Sequence, residues 1–370
     1  MKKIIHIIST LSSGGSEGVL FKLITTNKNN KHYVISLSKG GFYSHKLKKS
    51  KIKIYHLDFT NIKNTFFSIY KIKKIFDKIK PDIIQTWLYH ADLIGGLVGK
   101  ICNINKIYWG IRGSYYTQLT SFRTKIIIKV CSLLSYWIPD KIISNSRFAQ
   151  KIHINNGYNK KKFVTIFNGY ETKKISKDKI FFSNLLKKKI KKNFTYLSMI
   201  ARYDKHKDHE NLFRALDIVK SKGYKFYLLL AGYNINDKNI LLTKKIKKYN
   251  LVGNIFLLGE RNDVSKILPN IDINILSSIS ESFPNVIAEA MIASVPCIST
   301  NVGDAKYIIG DTGWVVPSKN SLKLANSIIN AIDEKKKTRE WKSRKKNCYE
   351  RIFDNLSLKK MIRSYENIWK

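Results

Sequence analysis

The stretch Glu281-Ser-Phe-Pro-Asn-Val-Ile-Ala-Glu289 follows the apolar run Ile273-Asn-Ile-Leu-Ser277, which has the composition of a buried strand. Pro284 suits the first position of a helix, so the pattern predicts a strand, a loop and a helix. Glu281 then lies in the loop, and Glu289 lies about one and a half turns into the helix. Open α/β sheets bind nucleotides at such places, where a carboxylate accepts hydrogen bonds from sugar hydroxyls. A loop charge and a solvated helix residue would give the same short motif, so the rest of the chain must decide.

Strand-like and helical segments alternate along both halves of the chain, which is the pattern of parallel sheets covered by helices. One predicted amphipathic helix has Phe66, Ile69, Ile72, Phe76 and Ile79 on its apolar face. A Lys-rich connector precedes the second α/β region. The predicted strands are residues 4–9, 32–37, 54–57, 83–87, 107–111, 142–144, 195–200, 225–231, 254–258, 273–276 and 296–299.

The chain has 370 residues, of which 44% are hydrophobic, enough for two domains with real cores. Its four cysteines form no C-x-x-C pair, which argues against a zinc site and fits a reducing compartment. The longest apolar stretch, 126–138, contains Lys129 and is shorter than the roughly 20 residues of a membrane span. The apolar run at the start is too short for a signal peptide. We therefore expect a soluble or peripheral protein.

A formal net charge of +42 is the second notable feature of the composition. Residues 1–170 contain 29 basic and 6 acidic residues, so the N-terminal half is basic chiefly because acids are scarce there. Three explanations remain open at this point: attraction to an anionic membrane surface, compositional drift towards lysine, or nucleic-acid binding. No nucleic-acid-binding motif accompanies the charge, which disfavours the last.

Several ordered motifs resemble those of family-four glycosyltransferases with the GT-B fold. The resemblance runs from about residue 4 to 350. It is carried by Gly14-Gly15-Ser-Glu17, Asn145-Ser146, Asn168-Gly169, Ala201-Arg202-Tyr-Asp-Lys-His-Lys207, Ser280-Glu281 to Glu289-Ala-Met, Val295 to Gly303-Asp and Gly310-Asp-Thr-Gly313-Trp-Val-Val-Pro317. An ordered set of this kind is far more specific than any single motif.

The resemblance implies two Rossmann-like, doubly wound parallel-sheet domains facing a central cleft. We expect an N-terminal acceptor-binding domain over 1–172, a linker over 173–193 and a nucleotide-sugar domain over 194–350. The remaining residues, 351–370, would form a helix that packs back on the N-terminal domain.

The resemblance also assigns donor-binding residues. Arg202 and Lys207 would meet the diphosphate, Glu281 the hydroxyls of the donor hexose and Glu289 those of the ribose. Glycines allow a ligand to approach the backbone closely, which Gly14 and Gly15 would do here. Phe283, Pro284 and Asn285 would line the donor pocket. The family implies retention of configuration with no metal and no cofactor other than the nucleotide sugar, and no metal-ligand motif is apparent.

Two positions depart from the family pattern. Relatives place a histidine in a loop of the first domain, whereas one candidate loop here reads Trp109-Gly-Ile-Arg112-Gly-Ser114. Either Arg112 substitutes, or His90 supplies the imidazole unless it is a packed histidine at a helix start. On the acceptor side, Tyr115, Tyr116 and Trp109 are candidates for stacking on sugar rings, although core packing is equally compatible with their placement. Ser294 stands where relatives end the donor helix with glycine, which predicts a modest stability cost.

From these observations we expect a glycosyltransferase that moves a hexose from a nucleotide diphosphate sugar, expected to be a UDP-sugar, to a glycan or polyprenyl-linked acceptor. The resemblance points to bacterial surface polysaccharide or lipopolysaccharide assembly, in the cytoplasm at the inner face of the plasma membrane. The alternative is an inactive basic module of the same fold that binds polyanions or nucleic acid. Intact Glu281, Glu289, Arg202 and Lys207 argue against it.

Overall fold

Short segments rich in isoleucine, leucine and other apolar residues form most of the strands, because parallel strands covered on both faces favour apolar sequence. The computed structural model describes residues 1–59, 62–113, 121–173, 176–187 and 189–370, with the backbone but not the side chains of 62 and 63. Within these residues the chain divides into two units. The first consists of Met1–Gly169 and Leu358–Lys370, and the second of Tyr170–Ser357.

The first unit contains a parallel sheet with the strand order β3-β2-β1-β4-β5-β6-β7 among the described residues. Its strands are β1 (Lys3–Ile8), β2 (Lys31–Ser36), β3 (Lys53–His56), β4 (Ile83–Trp87), β5 (Lys106–Ile111), β6 (Lys141–Ser144) and β7 (Phe163–Thr165). With helices numbered in chain order, its helices are α1 (Gly15–Thr26), α2 (Phe42–Lys49), α3 (Ile62–Ile79), α4 (Tyr89–Ile101), α5 (Phe122–Leu134), α6 (Arg147–Asn155) and α15 (Leu358–Trp369).

The second unit contains a parallel sheet with the order β10-β9-β8-β11-β12-β13. Its strands are β8 (Thr195–Ile200), β9 (Phe226–Ala231), β10 (Ile255–Leu257), β11 (Ile273–Leu276), β12 (Cys297–Thr300) and β13 (Trp314–Val316). Its helices are α7 (Lys179–Leu186), α8 (His209–Ser221), α9 (Ile240–Lys248), α10 (Val264–Ile267), α11 (Asn285–Ile292), α12 (Ala305–Ile309), α13 (Ser321–Lys336) and α14 (Thr338–Leu356). Short 3-10 turns occupy Lys160–Lys162, Lys205–Lys207, Leu268–Asn270 and Gly310–Thr312.

In each sheet the direction of strand succession reverses once, between β1 and β4 and between β8 and β11. In doubly wound sheets, ligands bind where the order reverses, at the carboxyl edge of the sheet. The predicted doubly wound fold with two parallel sheets is therefore confirmed. A ligand-binding site is therefore expected at the loops after β1, β4, β8 and β11.

The C-terminal helix α15 belongs to the first unit. Its residues Met361, Tyr365 and Trp369 are buried in the core that lines one face of the first sheet. Helix α14 runs unbroken to Leu356, so the expected start of the terminal segment at 351 falls inside a helix of the second unit. The expected linker over 173–193 likewise contains α7, whose side chains Phe182 and Leu186 are buried.

The prediction that Phe66 lies on the buried face of α3 is wrong, since 71% of its surface is exposed. Ile72, Phe76 and Ile79 are buried as expected. At about 100° per residue, Phe66 lies about 120° around the helix from Ile72, too far to reach the same core. The buried Ser68 takes that place and donates a hydrogen bond to the carbonyl of Asp58.

Ser294, just after α11, adopts a left-handed backbone conformation with a φ of +59°. A β-carbon is disfavoured there, whereas glycine adopts this conformation readily. We expect Ser294→Gly to raise the free energy of unfolding by about 0.5–1 kcal/mol, measured by urea denaturation. Ser50→Gly is the control, because Ser50 also ends a helix but has a φ of −82°. Equal gains from both variants would contradict the backbone explanation.

Candidate active site

Two loops of the second unit meet at its switch point. The loop after β8 leads to Lys207, and the loop after β11 leads to Glu281. The Ile279 N–H donates to the carbonyl of His206 at 2.7 Å, and the Ser277 hydroxyl donates to the carbonyl of Lys207 at 2.9 Å. These bonds hold the two loops in a defined register, so side chains from both can act on one ligand.

Lys207 and Glu281 form an ion pair at this junction. The Nζ–Oε1 distance is 2.5 Å, and the side chains are 21% and 15% exposed. The Ser278 hydroxyl donates to the same oxygen at 2.7 Å. Among the described residues, Glu281 Oε2 has no hydrogen-bond partner and remains able to accept from a hydroxyl. Lys207 has two further N–H donors that can meet phosphate oxygens.

Arg202 is not part of this pair. Its side chain is 62% exposed and contacts Asp204, with Nε 3.3 Å from Oδ2. The other carboxylate oxygen of Asp204 accepts the His206 N–H at 2.8 Å, which anchors the Asp204 side chain on the same loop. The structure therefore brings Lys207 and Glu281 together and leaves the Arg202 guanidinium accessible beside the loop.

Helix α11 begins at Asn285, so Pro284 is its N-cap rather than its first residue, one position from the prediction. Phe283 and Pro284 are buried. The Tyr170 hydroxyl donates to Asn285 Oδ1 at 2.6 Å. Burial raises the pKa of Tyr170 well above its ordinary value, and nearby Glu289 raises it further. Asn285, Glu289 and Tyr170 are thus neighbours at the start of this helix.

Sequence reasoning missed Ser278 and Tyr170 as contacts of the predicted residues. The run of serines before Glu281 was the available signal for Ser278, whereas nothing marked Tyr170. It also gave no reason for Gly303, whose φ is +52°. A β-carbon on Gly303 would overlap the carbonyl oxygen of Ser282, so this glycine lets the loop after β12 pack against the Glu281 loop.

In the first unit, Gly14 caps α1 and Gly15 is its first residue. The Glu17 carboxylate lies over Gly14, where a β-carbon would collide with it. Thr10 and Ser12 donate hydroxyl hydrogen bonds to that carboxylate at 3.0 and 3.2 Å. In this structure it is the Glu17 side chain that lies close to Gly14. The sequence did not predict this contact.

Arg112 is buried at the end of β5. Its guanidinium donates to Asn168 Oδ1 at 3.0 Å and to the Tyr365 hydroxyl at 2.7 Å, and lies 4.4 Å from the ring centre of Trp87. Burial lowers the pKa of Arg112 from its ordinary value. These contacts tie α15 to the first sheet.

The aromatic candidates on the acceptor side have different outcomes. Trp109 is fully buried in the core beside α4 and α5, so of the two alternatives left open for it, core packing is the correct one. Its position in the interior of β5 explains this, because both faces of that strand are covered. Tyr115 and Tyr116 lie outside the described residues.

His90 is exposed in the first turn of α4, which follows β4 at the switch point of the first sheet. Desolvation by the surrounding protein lowers the pKa of its imidazole. The helix is preceded by Leu88, whose φ of +74° is rare for a branched side chain. Strained residues of this kind concentrate at functional sites, which favours a role for this edge of the sheet.

In the described ranges, no three or more His, Cys, Asp or Glu side chains form a group able to hold a metal ion. In the same ranges, no helix is long and apolar enough to cross a membrane.

Two family models match consecutive parts of the chain. Residues 13–174 match "Glycosyltransferase Family 4", and residues 182–348 match "Glycosyl transferases group 1". Together they span both units and include every motif quoted from residue 14 onwards.

Similar proteins carry corresponding names. The chain is 24% identical to the capsular polysaccharide biosynthesis glycosyltransferase CapM of Staphylococcus aureus, over 72% of this chain and 71% of that protein. It is 23% identical to an N,N'-diacetylbacillosaminyl-diphospho-undecaprenol alpha-1,3-N-acetylgalactosaminyltransferase of Campylobacter jejuni, over 89% and 90%. The crystal structure of Anabaena HepE in complex with UDP superposes with a TM-score of 0.86 at 18% identity, over 99% and 98% of the two chains. Because the two family models together cover most of the chain and all of the quoted motifs, this chain belongs to the family-four glycosyltransferases of the GT-B fold.

Proposed function

We propose that this enzyme transfers a hexose from a UDP-sugar to a lipid-linked acceptor during the assembly of a surface polysaccharide. The lipid-linked acceptor is supported by the Campylobacter relative and by an Escherichia coli relative, named as a UDP-Gal:alpha-D-GlcNAc-diphosphoundecaprenol alpha-1,3-galactosyltransferase. HepE, which has the same fold, was crystallised with UDP and with UDP-glucose.

The Lys207–Glu281 pair at the switch point is the observation that carries the proposal. A nucleotide sugar presents a diphosphate next to a polyhydroxylated ring, and so requires a cation and a hydrogen-bond acceptor side by side. Lys207 supplies the cation and Glu281 the acceptor, 2.5 Å apart. Before the donor binds, the ion pair holds both side chains in place. When it binds, a phosphate oxygen accepts from Lys207 and a sugar hydroxyl donates to Glu281.

The proposed reaction retains the configuration at the anomeric carbon. The acceptor hydroxyl oxygen bonds to that carbon on the face from which the bond to the diphosphate oxygen breaks, through an oxocarbenium-like state. The hydroxyl proton passes to the departing diphosphate. Lys207 and Arg202 stabilise the negative charge of the leaving group, and we propose that they do so without a metal ion. The N-terminus of α11, beside Asn285, adds favourable backbone dipoles.

Thermal stabilisation by UDP, GDP and ADP tests the donor site, because a ligand that binds only the folded protein raises its apparent stability. We expect UDP to stabilise the wild type and Arg202→Ala to weaken UDP binding about tenfold, through loss of a charge-assisted hydrogen bond. Arg339→Ala, which removes an exposed arginine from α14, is the matched control. An equal loss in both variants would show that only overall charge matters.

The alternative is a basic module that binds polyanions and has no transferase activity. It is favoured only by the net charge of +42. It predicts no stabilisation by any of the three nucleotides together with strongly salt-dependent binding to polyanions. That combination would overturn the proposed donor site.

We further propose that the enzyme works at the inner face of the plasma membrane as a peripheral protein. An undecaprenol-type acceptor lies in the membrane, and a basic N-terminal half is attracted to anionic lipids.

A further inference from the structure

Among the described residues, nothing covers an apolar stripe that runs along the outer side of α5. It consists of Phe122, Ile126, Val130 and Leu133, spaced by three or four residues as one side of a helix requires, and of Trp137 in the turn that follows the helix. Phe122 is 76% exposed and Trp137 70% exposed. We call these five residues the α5 stripe.

The stripe is not needed to hold the helix in place. The opposite side of α5 is buried through Ile128, Cys131 and Ser132, which pack into the first unit. Amphipathic surface helices normally present polar residues outward, so an outward apolar stripe indicates an interaction surface.

The segment that carries the stripe is basic. Residues 121–138 contain Arg123, Lys125 and Lys129 and no Asp or Glu. At about 100° per residue, Lys125 and Lys129 lie on one side of the stripe and Arg123 on the other. All three are exposed.

The adjacent helix extends the same kind of surface. Helix α4 packs beside α5 and exposes Leu97 and Ile101, with Lys100 also exposed between them. Helix α4 thus adds exposed apolar side chains and a lysine beside α5.

We propose that the α5 stripe docks on the surface of an anionic lipid bilayer. An apolar strip with tryptophan, bordered by lysine and arginine, matches the apolar boundary and the anionic headgroups of a bilayer at once. A second copy of this chain fits less well, because it would bring the same three positive charges against the first. The inference rests on the membrane association proposed above and names the surface responsible for it.

Docking through the stripe would lay α5 parallel to the membrane, with its side chains reaching about 5–10 Å into the headgroup boundary. The binding then combines apolar burial with attraction to anionic lipid. Removing either contribution should weaken it, and only the second should depend on salt.

Co-sedimentation with phosphatidylcholine vesicles, with and without phosphatidylglycerol, tests this surface. We expect the wild type to bind the vesicles that contain phosphatidylglycerol. Replacing Phe122, Leu133 and Trp137 together by serine should reduce binding about tenfold or more. Replacing Arg123, Lys125 and Lys129 by glutamine should reduce it about fivefold per charge, with a weaker salt dependence than the wild type.

A matched control removes three exposed apolar side chains from the second unit, namely Ile240, Leu241 and Leu322, also by serine. The inference is overturned if the stripe variant binds vesicles like the wild type, or if the control variant loses as much. It is also overturned if light scattering shows a wild-type dimer that the stripe variant abolishes. Stabilisation by UDP should survive in the stripe variant, which separates a failed membrane surface from a failed donor site.

Discussion

Replacing Glu281 with glutamine is expected to reduce sugar transfer by a factor of about 10² to 10³, while UDP binds at least as tightly as before. Glutamine has nearly the same shape, but it exchanges a charged acceptor for an amide. The stabilisation of the donor sugar, which increases as charge develops on its ring, is therefore lost. UDP has no sugar on its second phosphate, so its binding does not need the carboxylate.

The expected gain in UDP affinity comes from the ion pair itself. Lys207 Nζ lies 2.5 Å from Glu281 Oε1, so in the free enzyme an incoming phosphate must compete with a carboxylate for the same cation. Glu281→Gln removes that competitor and leaves the ammonium available. Calorimetric titration with UDP and initial rates of transfer with the donor sugar would report the two effects separately.

Two controls make this result specific. Lys207→Gln should weaken UDP binding and transfer together, because the cation serves both. Glu210→Gln removes another ion-paired carboxylate of the same unit, one that contacts Arg214 and Lys245, and should leave transfer intact. If Glu281→Gln kept its transfer activity, Glu281 would be a loop-anchoring residue. If it lost UDP binding as well, the pair would be needed to shape the loops.

Buried strands were the most predictable part of the fold. Ile83–Trp87, Thr195–Ile200 and Ile273–Leu276 have the predicted bounds, because central parallel strands are covered on both faces and are mainly apolar. The edge strands Phe163–Thr165 and Trp314–Val316 were not predicted. Three residues are too few to show a period, and only pairing with a neighbour defines such strands.

The site was predictable to the extent that topology alone determines it. Residues that follow two adjacent strands must lie near one another, which is why Lys207 and Glu281, 74 positions apart, form a pair. Contacts that depend on side-chain packing could not be predicted from the sequence. Glu17 folding over Gly14 and the burial of Trp109 follow from the shape of their surroundings, which no spacing rule encodes.

A chain of buried rings in the first unit leads to the second large expected effect. The Trp87 N–H can only donate, so His6 accepts it on Nδ1 at 3.3 Å. His6 then donates from Nε2 to His32 Nδ1 at 3.0 Å, and His32 donates from Nε2 to Asn27 Oδ1 at 2.9 Å. Asn27 in turn donates to Glu366 of α15 at 2.6 Å. The first two links need an unprotonated nitrogen on His6 and on His32, so a proton added to either ring breaks the chain.

Acidification from pH 6.5 towards pH 4 is therefore expected to destabilise the first unit. Burial lowers the pKa of His32 and of His153 to about 4, and burial together with His32 lowers the pKa of His6 well below its ordinary value. The unfolded chain takes up a proton at each histidine below about pH 6.5, while the folded chain does not. Each group thus contributes stability that is present above pH 6.5 and is lost as the pH falls, by about 1.4 kcal/mol per pH unit.

One buried carboxyl opposes this trend. Burial raises the pKa of Asp92 to about 8, so the folded state keeps a proton that the unfolded state releases above about pH 4. On acidification, Asp92 therefore stabilises the first unit by about 1.4 kcal/mol per pH unit. The three histidines together destabilise it more, so the net loss of stability is about 3 kcal/mol per pH unit. Total stabilities of about 5–15 kcal/mol would be exhausted within a few pH units.

The second unit should resist acid longer, because there His209 is the histidine whose pKa is lowered, to about 4, by burial and by Lys207 and Lys245. Hydrogen exchange followed by mass spectrometry, at several pH values from 7 to 4.5, would distinguish peptides of the two units. His153→Gln should reduce the pH dependence of the first unit by about 1.4 kcal/mol per pH unit. His45→Gln, which removes an exposed histidine of the same unit, is the matched control. Simultaneous loss of both units, or equal effects of the two variants, would mean that acid acts through overall charge repulsion and not through these buried rings.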